Sequence, residues 1–140
     1  MERVRVGVLG AGSMGEVHVK NLVRIPEAEI TAICDVNRPK AEALSRLCQA
    51  KVYTDFTEML EKECMDVLYI LLPPFAQNGQ FEQAAAKGIH IFIEKPIAIT
   101  SDRGKSMVDA ARKTGIKSHV GFHMRYGTAI QKLKKMIDDG

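Results

Sequence analysis

Val4-Arg5-Val6-Gly7-Val8-Leu9-Gly10-Ala11-Gly12-Ser13-Met14-Gly15 is an apolar strand that runs directly into a Gly-x-Gly-x-x-Gly turn. The residues after the turn decide its meaning, because glycine-rich turns occur in many settings. Met14, His18 and Leu22 recur at helical spacing, so the turn opens a helix, and strand, turn and helix in that order form the context in which the pattern binds a dinucleotide. Gly10 permits the tight turn, Gly12 lets the backbone approach a pyrophosphate with no Cβ between them, and Gly15 lets the helix lie close to the sheet. Ser13 and Met14 then stand at the positive end of the helix, where a diphosphate finds free N–H groups.

Beyond this unit, apolar runs bounded by turn residues alternate with helical periodicity to the end of the chain. That is the pattern of a doubly wound α/β fold with a mostly parallel, Rossmann-type sheet of about six strands. Strands are expected near 3–9, 29–34, 51–53, 66–72, 89–94 and 117–121. Helices are expected near 13–25, 38–49, 76–87 and 101–114, with a short helical turn around 56–61 and a last helix over about 127–138. The run Asp66-Val67-Leu68-Tyr69-Ile70-Leu71-Leu72 is apolar almost throughout, as suits a central strand covered on both faces. No repeat or Pro/Gly/Ser linker interrupts the order, so residues 1–140 read as one domain.

Asp35 closes the second strand, 20 residues beyond Gly15, where the dinucleotide pattern calls for an acid. A carboxylate there accepts hydrogen bonds from the adenosine ribose hydroxyls and repels a 2′-phosphate, which favours NAD over NADP. Arg38 argues the other way, since a guanidinium three residues on could pair with a 2′-phosphate.

The whole composition narrows the remaining classes. The 140 residues carry 46% hydrophobic and 26% charged side chains, neither disordered nor membranous in character. No apolar run reaches the ~18 residues of a spanning helix, and no membrane partner is expected. The start lacks the charged-then-apolar order of a secretory signal, which makes the cytoplasm the expected compartment. Cys34, Cys48 and Cys64 form no Cys-x-x-Cys pair and read as structural thiols. A net charge of +3 from scattered Lys and Arg, with few aromatics, speaks against nucleic acid as a partner. No His, Cys or carboxylate pair has metal-ligand spacing, so no metal is expected. His18 shares the stripe of Met14 and Leu22 and reads as packed and hydrogen-bonded, and His90 alternates with Ile89 and Ile91 and also reads as structural.

Several further segments stand in a fixed order: His18 three residues after the glycine turn, Pro73-Pro74, Ala84 to His90, Glu94-Lys95-Pro96, and Val120-Gly121-Phe122-His123-Met124-Arg125-Tyr126. Together they resemble, along the whole chain, the N-terminal domain of the glucose-fructose oxidoreductase, inositol dehydrogenase and rhizopine catabolism family, written Gfo/Idh/MocA. The Glu-Lys-Pro motif is the most specific part of the likeness. It implies an NAD(P)-dependent dehydrogenase of CH–OH groups, acting on a sugar, cyclitol or related polyol.

By that resemblance Lys95 is the catalytic lysine and touches the hydroxyl being oxidised. An ammonium there orients the oxygen and stabilises negative charge forming on it. Glu94 would brace Lys95 or the nicotinamide ribose, and Pro96 would fix the turn with a cis bond, the isomer that is cheap only before proline. Leu72, Pro73, Pro74 and Gln77 would line the cofactor, although many relatives carry Thr or Ser at the first of these positions and His at the last. Gln77 still forms hydrogen bonds but cannot titrate as a histidine does. His123, where relatives often have Asn, would contact the nicotinamide side or the substrate, and Arg125 would bind substrate or anchor a domain interface.

In the family, an aspartate and a histidine that acts as the base come from a second α/β domain. The sequence stops at Gly140, after the helix over about 126–140 that would lead into it, so the chain alone is expected to be inactive. Two alternatives stay open: a free-standing module that binds or senses the dinucleotide without turnover, and a piece of a glycosidase that uses NAD transiently. A face left by the missing domain would favour self-association.

Overall fold

The computed structural model describes residues 3–140; Met1 and Glu2, the first two residues of the domain read from the sequence, lie outside the described residues. Six strands form one sheet: β1 (Val4–Leu9), β2 (Ala28–Cys34), β3 (Lys51–Tyr53), β4 (Val67–Ile70), β5 (His90–Ile93) and β6 (Ser118–Val120). They lie in the order β3-β2-β1-β4-β5-β6, and all five pairings are parallel. The order reverses between β1 and β4, and in open sheets the crevice outside the strand ends at such a reversal takes the ligand.

Helices α1 (Ser13–Leu22) and α2 (Arg38–Ser45) cover one face, where Val19, Leu22, Ala41 and Leu44 pack with Val6, Val8, Ile30 and Ile33. On the other face α3 (Phe56–Lys62), α4 (Gln80–Ala86) and α5 (Ser101–Thr114) bury Met59, Leu60, Phe81, Ala84, Ala85 and Met107 against Leu68, Ile70, Ile91 and Ile93. Local chemistry sets the ends. The side chains of Asn37, Asp55 and Thr100 cap the helices that come after them, each accepting an N–H from the first turn. Helix α6 (Thr128–Asp139) has no buried residue, and its apolar Ile130, Leu133, Met136 and Ile137 are exposed.

Four boundaries differ from the sequence expectation by two residues or more, among them the end of the first helix, which stops at Leu22 and not at residue 25. The helix expected from residue 76 begins at Gln80, because a 3-10 turn over Pro74–Ala76 comes first and Gly79 then takes a left-handed φ of 98°. The two prolines fix the chain in that turn, and Gly79 supplies the one conformation that re-aims it into α4. The central strand stops at Ile70 instead of residue 72, since its neighbours β1 and β5 end opposite it at Leu9 and Ile93. Helix α2 ends at Ser45, and its expected last turn is a non-helical run through Gln49, which has a φ of 59°.

Candidate functional site

Gly10 stands at the end of β1 with a φ of 106°, its N–H donating to the carbonyl of Cys34 at 2.8 Å. A side chain there would be strained by the backbone and would also press on the carbonyl of Leu71 at 2.9 Å. A Cβ on Gly15 would drive into the carbonyl oxygen of Gly10, so α1 lies against the turn only because that atom is missing. Gly12 is the opposite case, since a Cβ there would enter open space. No side chain caps the first turn of α1, which leaves its N–H groups, those of Ser13 and Met14 among them, facing that space. An unblocked helix N-terminus beside a residue with no side chain fits a pyrophosphate.

Asp35 lies at the end of β2 beside this turn. Its Oδ2 accepts the Ala11 N–H at 2.7 Å and its Oδ1 accepts the Asn37 N–H at 2.8 Å. Each oxygen keeps a second lone pair, so the carboxylate can still receive ribose hydroxyls while the backbone holds it in place. Arg38 is turned along α2 toward Glu42, with Nη1 3.7 Å from the carboxylate oxygen, and is well exposed. Two exposed apolar side chains outside the sequence-derived set lie on the same connections, Val36 directly after Asp35 and Phe75 directly after Pro74. Leu72 is partly buried, and its carbonyl accepts Gln77 Nε2 at 3.4 Å. Gln77 itself is buried, with its amide oxygen left without a hydrogen-bond partner.

The second part of the site forms at the ends of β5 and β6. Glu94 is buried, with Oε1 2.9 Å from His18 Nε2 on α1 and Oε2 accepting the N–H of Lys95 at 3.0 Å. Gly121 makes room for it: a Cβ there would lie 2.9 to 3.1 Å from the carboxylate atoms. The Lys95-Pro96 bond is cis, as the motif leads one to expect. Lys95 is exposed, and among the described residues nothing pairs with its ammonium.

Between α1 and the β5–β6 ends runs a cleft of about 490 Å³, whose walls include Met14, His18, Glu94, His119, His123 and Tyr126. It brings together Met14, Glu94 and His123 from the sequence-derived set. Lys95 and Arg125 are not on its walls; Arg125 faces a shallow groove along α6 with Ile130 and Lys134. His119 and Tyr126 are functional candidates outside the sequence-derived site set, although Tyr126 closes the Val120 to Tyr126 segment quoted above. The signal for His119 is its register, opposite Phe92, which lies opposite Tyr69 in turn. Tyr69 and Phe92 stack at 4.6 Å and Phe92 and His119 at 5.9 Å, forming a row of rings across three strands. His90 is structural as expected, its Nδ1 accepting the Lys117 N–H at 3.2 Å. Among the described residues no three His, Cys, Asp or Glu side chains gather closely enough to hold a metal, and no helix is long and apolar enough to cross a membrane.

Comparison with known proteins agrees with this geometry. Residues 4–122 match the model of the Gfo/Idh/MocA oxidoreductase family, described as an NAD-binding Rossmann fold. The scyllo-inositol 2-dehydrogenase (NAD(+)) of Bacillus subtilis is 34% identical over 140 residues, 99% of this chain and 41% of that protein. Among solved structures, the WlbA dehydrogenase of Bordetella pertussis in complex with NADH and UDP-GlcNAcA superimposes with a TM-score of 0.94 at 28% identity, over 99% of this chain and 43% of that one. The scyllo-inositol dehydrogenase of Lactobacillus casei with bound NAD(H) and scyllo-inositol gives 0.92 at 25% identity, over 99% and 42%. The chain thus spans about two fifths of the length of the curated relatives it matches. A glycine turn shaped for a diphosphate, an acid held beside it, and a family model covering both lead to one assignment: this chain is an NAD-binding Rossmann domain of the Gfo/Idh/MocA oxidoreductase family.

Proposed function

We propose that the chain is the cofactor-holding part of a cytoplasmic NAD-dependent dehydrogenase that oxidises a CH–OH group of a cyclitol or sugar. The observation that carries this reading is the bond between His18 and Glu94, which ties the end of β5, where Lys95 begins, to the helix that opens the phosphate turn. Bound NAD would supply the hydride acceptor. Lys95 would hold the substrate hydroxyl by a charge-assisted hydrogen bond and favour the developing alkoxide. The exposure of its ammonium supports a role that is completed by a ligand. An ammonium has no lone pair with which to take the hydroxyl proton, so a separate base is required. We infer that the isolated chain binds cofactor without turning over a polyol, which an NAD-reduction assay with a cyclitol checks.

NAD would be preferred to NADP because backbone N–H groups hold the Asp35 carboxylate beside the phosphate turn, while Arg38 lies along α2 toward Glu42. Val36 and Phe75 would offer apolar surface to the adenine, and Gln77 would offer its unpartnered oxygen to a cofactor donor. His123 would meet the nicotinamide side or the substrate. Arg125 would reach substrate or a neighbouring domain from the base of α6.

Calorimetric titration with both cofactors tests the core of the reading. Asp35→Ala should weaken NAD by about tenfold or more, the scale of a lost charge-assisted hydrogen bond, and should weaken NADP less. Equal losses would remove the ribose role. The exposed Phe122, Met124 and Tyr126, continuous in sequence with the apolar stripe of α6, support self-association of the isolated chain. Light scattering that returned a strict monomer at high concentration would oppose it.

A further inference from the structure

His18 lines the cleft and has no task in the hydride chemistry of Lys95 and the cofactor. Its Nε2 lies 2.9 Å from Glu94 Oε1, and the two side chains are only 17% and 7% exposed. The two atoms are within hydrogen-bond reach, and in the tautomer that protonates Nε2 the imidazole donates to the carboxylate. The imidazole plane is fixed by two ring edges, Phe92 at 4.9 Å and 61° and Tyr69 at 5.6 Å and 63°. Packing alone would be served by leucine or methionine. A largely buried imidazole without an acceptor would instead carry a desolvation cost, and so would a buried Glu94 without a donor.

The carboxylate it meets is confined from three sides. His18 meets it from α1 through Nε2, the Lys95 N–H donates from the next residue in the chain, and Gly121 closes the space from the end of β6. Helix α1 carries the phosphate turn at its start, and the chain leaving β5 carries Lys95. We propose that His18 is a positioning residue, which holds the Glu94 carboxylate, and with it the Lys95 turn, in fixed register with the cofactor helix. Both Glu94 oxygens retain a lone pair after these bonds, so the same carboxylate can receive a cofactor hydroxyl in the orientation His18 sets. What the strand end binds rests on the proposed cofactor role; the coupling between His18 and Glu94 does not.

The test is a double-mutant cycle on the full chain, read twice, by NADH fluorescence titration and by denaturant unfolding without cofactor. His18→Leu should weaken NADH about tenfold, the scale of a hydrogen bond to a charged group. His18→Gln, whose amide nitrogen donates at similar reach, should stay within about threefold of wild type. In a Glu94→Leu background, His18→Leu should add less than about twofold, because the group through which it acts is gone. If the loss were equal in both backgrounds, or if Gln were no better than Leu while unfolding normally, His18 would be a packing residue and the inference would be overturned. A wild-type chain that bound no NADH would instead overturn the cofactor role. The unfolding cycle would then decide the coupling alone, with additive losses rejecting it and non-additive losses supporting it.

Discussion

On the face that carries α1 and α2, the two halves of the sheet are finished differently. Over β1 and β2 the cover is complete: Val8, Val19 and Ile33 are fully buried, and Val6 is nearly so. Over β4, β5 and β6 the same face presents Tyr69 and Phe92 half-buried and His119 exposed, with the cleft opening above them. The sealed half offers backbone, in the turn at Gly10–Gly15 and the acid that braces it, and needs close packing to hold that shape. The open half gathers side chains with chemistry, Glu94, His119 and His123 among them, and leaves room beside them. Substitutions at the packed positions of the first half should therefore be read in stability, and those on the cleft walls of the second half in binding.

The largest effect should come from Gly15→Val. Its side chain would have to occupy the space of the Gly10 carbonyl, which is backbone and cannot swing aside. A loss of about 4 kcal/mol or more is expected, in the range of severe core overpacking, with a correspondingly large fall in the thermal transition. A variant that melted like wild type would show that α1 does not depend on contact with the turn. Gly12→Ala is the paired control: its Cβ meets nothing, so unfolding should change by less than about 1 kcal/mol while NADH affinity falls.

The next contrast compares the halves directly. Val8→Ala removes two methyl groups from a site with 0% exposure and should cost about 2 kcal/mol in chemical denaturation. Tyr126→Ala, at 61% exposure on the wall of the cleft, should stay within about 0.5 kcal/mol. Similar costs would mean that the open half is as closely packed as the sealed one. Gly121→Ala then probes the boundary between them. Its Cβ would press on the Glu94 carboxylate, which must shift or strain, at a cost of about 1 to 2 kcal/mol. NADH titration should register that shift, and an unchanged affinity would separate Glu94 from the cofactor.

The two halves are also unequally legible in the sequence. Every strand and α-helix of the described chain can be anticipated, because a glycine-punctuated alternation of apolar runs and helical stripes leaves few other arrangements. The glycine turn and Asp35 can be read by residue type and spacing, since their roles depend on local backbone. The cleft cannot. Its walls come from α1, β5, β6 and the turn after β6, and a contact such as His18 to Glu94 spans 76 residues of chain. His18 reads as packed and hydrogen-bonded, which it is, but no local pattern names its partner. Lys95 stands out through its motif, and yet the motif does not predict that its ammonium stands in solvent, apart from the cleft walls.

The smallest effect concerns the floor of the sheet, at the ends of the strands away from the site. Asp66, just before β4, accepts the backbone N–H of Arg5 at 2.8 Å and its guanidinium at 2.8 and 3.1 Å, tying β4 to β1 below the reversal in strand order. The Arg5 side chain and backbone bonds hold the Asp66 carboxyl down at about 2, against its ordinary 3.8. A carboxylate whose folded value is lowered contributes stability that is complete above the unfolded value and is lost as pH falls through the folded one, here between about pH 4 and pH 2. Both side chains are more than a third exposed, at 46% and 40%, so solvent screening keeps the contribution to less than about 1 kcal/mol. Asp66→Asn should therefore lower stability slightly at pH 7 and flatten the acid limb of the unfolding curve below pH 4, with NADH affinity unchanged. If affinity fell as well, the pairing of β1 and β4 at this far end would be coupled to the crevice above it, and the separation between a structural floor and a functional edge would not hold.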